Sequence, residues 1–455
     1  MLLVRDRGFY KNVALIALPI AAQGLITIGV NMMDTVMLGR LGEVALSASS
    51  LANQFISIFQ IMCMGLGMGA SVLVSRYWGA RDIYSLKKAV TIMLRLCFTV
   101  ATLFALATLL FPSAIMRLFT PDADIIYEGD RYLRWSVPCY WLLGLSLTVT
   151  LVMRSTGQVR VPLLTSIAAF FVNIGANYIF IFGKLGAPAM GVAGAALGTL
   201  ISRMVEFVII DGYFLFRDKK VAYRFADLFG SCGELLGEYI RISIPVLVSD
   251  TLLALGNSAV AVVMGHIGGT FVSANAITAV TVQLSTVLIQ GLSQASAIVI
   301  GHTLGAGDAD RAQREGFTFW LIGTAVGILA GGFIIAVSET IIGFYSITEE
   351  THAIASQLMQ SVGFIVIFQA MNSILTKGVM RGGGDTRFLM VADILFLWVA
   401  SIPLGALAGL VWHWPAFWVY VALKIDQIIK AIWCLGRLRS RKWIKNVRGA
   451  AKAAG

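Results

Sequence analysis

The 455 residues are 58% hydrophobic and 13% charged, with a mean hydropathy of +0.82 and a formal net charge of +11. Soluble domains carry about 25% charged residues, so half that share with long uncharged runs excludes an ordinary soluble protein and points to an integral membrane one. The positive balance does not indicate nucleic acid, because the charges fall between apolar runs instead of gathering on one soluble face.

The first apolar run, 15–42, is long enough to cross a bilayer and carries Asp34 near one end. A central Asp costs about 2.5–3.5 kcal/mol on insertion scales, so such a residue faces protein interior or a watery cavity. The run continues past signal-peptide length and is read as the insertion signal itself. Twelve spans are predicted, at about 13–37, 46–75, 89–112, 126–153, 161–183, 190–216, 241–265, 272–301, 315–337, 351–380, 387–411 and 414–437. Continuous apolar runs, rather than short alternating ones, exclude a β-barrel. The five cysteines are scattered and read as small buried hydrophobes, neither a disulfide framework nor metal ligands.

With the N-terminus inside, 26 Lys and Arg fall in cytoplasmic connections and tails, against five outside (Arg40, Arg117, Arg131, Arg134 and Lys184). The positive-inside rule then places both termini in the cytoplasm. The chain is also a tandem repeat. At an offset of 226, Pro19 aligns with Pro245, Asn31 with Asn257, Gly39 with Gly265 and Gly79-Ala80 with Gly305-Ala306. One residue further out of step, Met153-Arg154 aligns with Met380-Arg381 and Gly157 with Gly384. Six spans per half make the repeats parallel, about an axis along the membrane normal, with a substrate site expected between them. The expected organisation is an all-α integral membrane fold of twelve transmembrane helices in two pseudo-symmetric six-helix lobes. These are an N-terminal lobe (1–216), a cytoplasmic linker (217–240), a C-terminal lobe (241–437) and a basic cytoplasmic tail (438–455). The tail, with Trp443, is expected on anionic headgroups.

An ordered set of motifs carries a resemblance over nearly the whole chain. It comprises the paired P…GxLG segments, Gly65-x-Gly67-x-Gly69 leading to Arg76-Tyr77-Trp78-Gly79-Ala80, and Asn173-x-x-x-Asn177-Tyr178. It continues with Gly191-Val192-Ala193-Gly194-Ala195-Ala196 and Met380-Arg381-Gly382-Gly383-Gly384-Asp385-Thr386. This set resembles the multidrug and toxic compound extrusion (MATE) transporters. The resemblance implies a two-lobed antiporter that exports bulky, mostly cationic organic compounds against an inward proton or sodium gradient. It also implies a first-lobe ion site at Asp34, Asn173, Asn177 and Thr199. Asn177 stands where many members carry Asp, so the cation is left open between Na⁺ and H⁺.

From the residues themselves, Asp34 can hold a proton, bind Na⁺ or pair with a drug's positive charge, and each event neutralises it. A position among the headgroups is the competing reading. The repeat speaks against it, because Asp34 aligns with Val260 and lobe symmetry requires no acid there. Asn31, one turn earlier, could add a carbonyl ligand, and Asn173 and Asn177 share a face at i, i+4. Amide oxygens suit a hard cation, although interhelical amide bonding explains the pair equally well. Asp250 and Asn257 in the second half, with Gln54, Gln283, Met33 and Met64, are candidates for a substrate cleft that accepts many shapes. Glu206 with Arg203, and Asp426 with Lys424 or Lys430, read as structural pairs, and the role of Asp393 is left open. His266, His302, His352 and His413 are far apart, and HExxH, GxSxG and Walker patterns are missing, which speaks against an enzyme and against ATP as energy source. The expectation is a monomeric multi-pass antiporter of the cytoplasmic (inner) membrane with no cofactor beyond its coupling cation. Its partners would be organic cations, drugs and membrane lipids, with no nucleic acid. A lipid-linked oligosaccharide flippase of the same superfamily is the alternative.

Overall fold

The computed structural model describes residues 3–345 and 347–445, and every regular element among them is helical. The helices are α1 (Arg7–Gly39), α2 (Glu43–Gly79), α3 (Ile83–Leu110), α4 (Pro112–Arg117), α5 (Ala123–Ser136), α6 (Cys139–Ser155), α7 (Arg160–Phe182) and α8 (Val192–Arg217). After a single 3₁₀ turn (Phe225–Phe229) come α9 (Gly233–Ile267), α10 (Gly269–Ser285), α11 (Val287–Gly305) and α12 (Ala309–Ile342). The chain continues through α13 (Glu349–Met380), α14 (Thr386–Val411), α15 (Ala416–Leu423) and α16 (Ile425–Arg439).

Ten of these helices are long and apolar enough to cross a membrane, and α5 with α6, bent by 57°, makes an eleventh candidate. Besides that bent pair, expected as one span over 126–153, two further stretches expected as unbroken spans are interrupted. The first breaks at Thr286, whose backbone N–H and hydroxyl both donate to Val282 O, at 2.9 and 2.8 Å. The second breaks at Lys424, where Asp426 N turns to the Ser401 hydroxyl at 3.0 Å.

Local sequence explains the ends. The Asp308 carboxylate caps α12 by accepting from Arg311 N at 2.8 Å. Gly157 (φ 76°) and Gly384 (φ 77°), partners in the repeat, both take left-handed backbone after a helix, where a side chain would be strained. Pro19 and Pro245 sit inside α1 and α9, each removing one helical N–H.

The chain forms two compact units. One comprises Ala22–Val74 and Ile83–Ser243. Its core holds Phe59, Cys63, Cys97 and Tyr140, with a second cluster around Met37, Leu133 and Ala196. The cysteines are free, as read from their spacing. The 217–240 segment docks on α3 in this unit. Arg95 donates to Leu228 O (2.6 Å) and Gly230 O (2.9 Å), and Lys87 pairs with Asp227 at 2.9 Å. Arg95 is exposed and clamps the linker.

The other unit takes the described residues up to Ala21, Ser75–Asp82 and those from Ile244 onward. Its core runs through Val260, Phe271, Val362, Val366 and Leu423. Trp443, expected at the headgroups, is instead fully buried and donates its indole N–H to Gln313 Oε1 at 2.8 Å. The remainder of the expected basic tail, with Arg448 and Lys452, lies outside the described residues.

Candidate ion-binding site

A cavity of about 590 Å³ lies within the unit formed by Ala22–Val74 and Ile83–Ser243. α1 contributes Asn31, Asp34 and Thr35; α2 contributes Asn53, Gln54 and Gln60; α5 adds Tyr132. From α7 comes Asn173, and from α8 come Thr199, Arg203 and Glu206. Lipid-facing positions on these helices are apolar, so this concentration of polar side chains marks a protein interior that water can reach.

Behind the lining residues Asp34 and Asn173, Asn177 donates its amide Nδ2 to Asp34 Oδ1 at 2.6 Å and to Asn173 Oδ1 at 3.3 Å. Asn177 is 1% exposed, and its own Oδ1 accepts no hydrogen bond among the described residues. Asp34 is half-buried and makes no ion pair among those residues. α7 and α8 pack closely enough for this through small residues on α8. A Cβ at Gly194 would meet Phe180 O at 2.3 Å, and one at Gly198 would meet Asn177 Oδ1 at 2.1 Å.

Asp34, Asn173, Asn177, Thr199 and Asn31 therefore come together, and Gln54 lines the same space. Met33 packs on the neighbouring apolar cluster, and Met64, half-buried on α2, is not among the lining residues. Asp250, Asn257 and Gln283 belong to the other unit. There Asp250 is paired with Arg381 at 3.0 Å, Asn257 accepts from Lys424 at 3.3 Å, and Gln283 is exposed.

Sequence reading left out several cavity residues. Arg203 and Glu206 do form the expected pair, at 2.5 Å, but they do so in the wall of the Asp34 cavity. Tyr132, whose hydroxyl donates to Asn53 Oδ1 at 3.2 Å, gave no sequence signal beyond being an aromatic in a span. Outside that cavity, Arg154, counted with the cytoplasmic connections, reaches the Gln23 side-chain oxygen. Its position at the C-terminal end of α6 disguised it as a rim charge.

A family model described as MatE matches residues 19–179 and 245–407. The chain belongs to the MatE family. The two matches begin at Pro19 and Pro245, the pair that the internal repeat aligns. Among curated relatives, the chain is 24% identical to a probable multidrug resistance protein NorM of Thermotoga maritima, over 96% of this chain and 93% of that one. It is 27% identical to the multidrug resistance protein NorM of Burkholderia vietnamiensis, over 89% and 87%. Among solved structures, an outward-facing MATE family transporter of the MOP superfamily superposes with a TM-score of 0.86 at 18% identity, covering 95% of this chain and 96% of that one. The eukaryotic MATE transporter AtDTX14 does so at 0.83 and 19%, covering 98% of each. The MatE fold and the ten or eleven candidate spans together make this chain an integral membrane protein of the transporter fold.

Proposed function

We propose that this MatE protein is a multidrug efflux antiporter without enzymatic activity, exporting bulky, mostly cationic organic compounds in exchange for Na⁺ or H⁺ by alternating access. The names of its relatives point to drugs rather than to lipid-linked sugars. The observation that carries the reading is the Asp34–Asn177 contact in a polar cavity of an apolar bundle. A carboxylate held by an amide, without a fixed cationic partner, is free to exchange a proton, a metal cation or an organic cation. The oxygens of Asp34, Asn173, Asn177, Thr199 and Asn31 make a donor set suited to a hard monovalent cation, with Asp34 supplying the one charge it needs. Binding there would favour one orientation of the protein and oppose drug binding in it. We further propose twelve membrane passages, with the broken α10–α11 and α15–α16 stretches each completing one, both termini cytoplasmic, and a monomer in the cytoplasmic membrane. The Lys and Arg distribution supports that orientation.

The test is ethidium transport in vesicles with Na⁺ and H⁺ gradients imposed separately, on the native chain and on Asp34→Asn. A response to one gradient that vanishes in Asp34→Asn is expected. Native transport by a well-expressed Asp34→Asn protein would remove Asp34 from the mechanism.

A further inference from the structure

The 217–240 linker is fixed on its inner side. Val221 and Tyr223 are fully buried, and the Tyr223 ring stacks on Phe214 of α8 at 5.5 Å. The Tyr223 hydroxyl meets the Thr91 hydroxyl on α3 at 2.9 Å, and Thr91 donates to Asp227 O at 3.1 Å. Lys87 and Arg95, one turn to either side of Thr91, hold Asp227, Leu228 O and Gly230 O. Counting back from the end of α3 at Leu110, about 20 residues at about 1.5 Å each cross a hydrocarbon core of about 30 Å, which brings the edge of the core to Thr91. The 3₁₀ turn therefore sits level with the boundary between headgroups and acyl chains. Arg95, past that boundary, finds its acceptors in the linker's own carbonyls.

The outer side carries the opposite chemistry. Phe225 and Phe229 are 64% and 73% exposed, and their rings meet edge to face at 5.6 Å, so they form one apolar patch. Phe216, in the last turn of α8, is 78% exposed. Arg217, Lys219 and Lys220 are exposed as well and make no ion pair among the described residues. Acids of the same stretch are turned inward or already paired. Asp218 is 1% exposed and accepts from Lys220 N and Val221 N at 3.1 and 3.0 Å. Asp227 is held by Lys87, and Glu234 pairs with Lys88 at 3.4 Å. Arg224 is directed to backbone oxygens, Leu215 O at 2.9 Å among them.

We propose that this face is a membrane-binding surface whose partner is an anionic phospholipid leaflet. Phe216, Phe225 and Phe229 enter the edge of the acyl chains, and Arg217, Lys219 and Lys220 meet the lipid phosphates. Phenylalanines held rigidly in water keep their unfavourable hydration, and the leaflet removes it. Aromatic and basic residues side by side, on an element lying in the plane of the interface, are the composition that binds such a leaflet. Depth selects lipid over a soluble protein, because a patch level with Thr91, on the connection between the candidate spans α8 and α9, adjoins the bilayer itself. Only the name cytoplasmic for that leaflet comes from the orientation given above; the surface depends on no part of the transport reading.

The test uses the full chain in nanodiscs of phosphatidylcholine, with and without an equal share of phosphatidylglycerol. Spin labels are placed one at a time at Phe225→Cys, Phe229→Cys and Tyr84→Cys, on a Cys232→Ser background that removes the one half-buried cysteine. Tyr84, 71% exposed and about 10 Å further out along α3 than Thr91, is the aqueous reference. Collision with oxygen, relative to a neutral water-soluble nickel chelate, should be several-fold higher at 225 and 229 than at 84. Phosphatidylglycerol should raise it further. Lys219→Gln with Lys220→Gln should remove that increment, since each basic residue near such a surface changes its occupancy by about fivefold. Labels at 225 and 229 as open to the chelate as the one at 84 overturn the proposal. Labels shielded from chelate and oxygen alike also overturn it, because a second copy or another protein then covers the patch. A depth indifferent to phosphatidylglycerol or to the two lysines overturns the anionic leaflet as partner. Ethidium transport is not read, so the fate of the Asp34 reading leaves this outcome untouched.

Discussion

Asn177 Nδ2 and Asp34 Oδ1 stand 2.6 Å apart, although the two residues are separated by 143 positions and lie on different helices. The bond fixes the rotation of α7 against α1, and it fixes which amide atom meets the carboxylate. It also leaves the buried Asn177 oxygen without a partner among the described residues, a cost that a structural amide pair would avoid.

That asymmetry separates packing from transport. Interhelical polar bonds in membranes contribute about 0.6 kcal/mol on average, so Asn177→Ala should lower thermal stability only slightly. Its effect on gradient-driven ethidium transport should be far larger, tenfold or more on an order-of-magnitude scale, since a hydrogen bond to a charged group is worth about 1.5–3 kcal/mol. Stability and transport falling in proportion would assign Asn177 to packing alone. Tm and initial transport rate, measured on the same preparation, decide between them.

Gly198 gives a steric handle on the same contact. A methyl there would lie 2.1 Å from Asn177 Oδ1 and 2.9 Å from the Asn177 backbone nitrogen. Overpacking of this kind costs about 1–3 kcal/mol, and part of the strain is relieved by swinging the amide off Asp34. Gly198→Ala should therefore lose stability and transport together. Gly175→Ala is the matched control on α7, because nothing lies within 4 Å of its added methyl. It should be neutral or slightly stabilising, as Ala is the better helix former.

The linker offers a pH-dependent handle outside the membrane. Asp227 sits below the usual carboxylate range. Burial pulls it upward, but the hydrogen bond from Lys87 and that from Arg224 N outweigh the burial. A carboxylate held below its unfolded value contributes stability that is complete above the ordinary carboxylate range and is lost as pH falls through the lower folded value. Hydrogen exchange over 225–229 should accordingly stay slow at neutral pH and rise only in acid. In Asp227→Asn it should be raised at neutral pH and nearly independent of pH. An unchanged exchange rate in that variant would mean that Arg95, which clamps Leu228 O and Gly230 O, holds the segment unaided.

Much of this arrangement was legible in the residues because it follows from short-range rules. Long apolar runs and the repeat-aligned glycines Gly157 and Gly384 are local patterns, and each has a local structural counterpart. The breaks at Thr286 and Lys424 were not legible, since neither position is marked by Gly or Pro. At Lys424 the break goes with a contact to Ser401, distant in sequence, and at Thr286 the backbone still bonds to Val282 O. The pairings Asp250–Arg381 and Lys430–Asp393 were equally hidden. Which charges meet depends on how each helix is rotated in its bundle, and the hydrophobic pattern of helices buried on most sides says little about rotation. For the same reason Arg203 and Glu206 could be read as a pair at helical spacing, but not as part of the wall around Asp34.

That last relationship yields the sharpest mutational contrast. Arg203 is held by Glu206 at 2.5 Å, with side chains 28% and 15% exposed, inside the cavity that Asp34 lines. Removing one partner of a buried pair costs about 3–5 kcal/mol, and this half-wet pair should cost less. Glu206→Gln leaves a guanidinium without its partner, and the nearest anion in that cavity wall is Asp34. Transport should then fall sharply, because a permanent cation would occupy the carboxylate that must exchange ligands. Replacing both, as Arg203→Gln with Glu206→Gln, removes the competitor and should restore transport toward the native rate even where stability is not regained. A double-mutant cycle on ethidium transport measures this coupling directly. If the double variant is as inactive as Glu206→Gln, Arg203 does not act through Asp34, and the pair serves the fold alone.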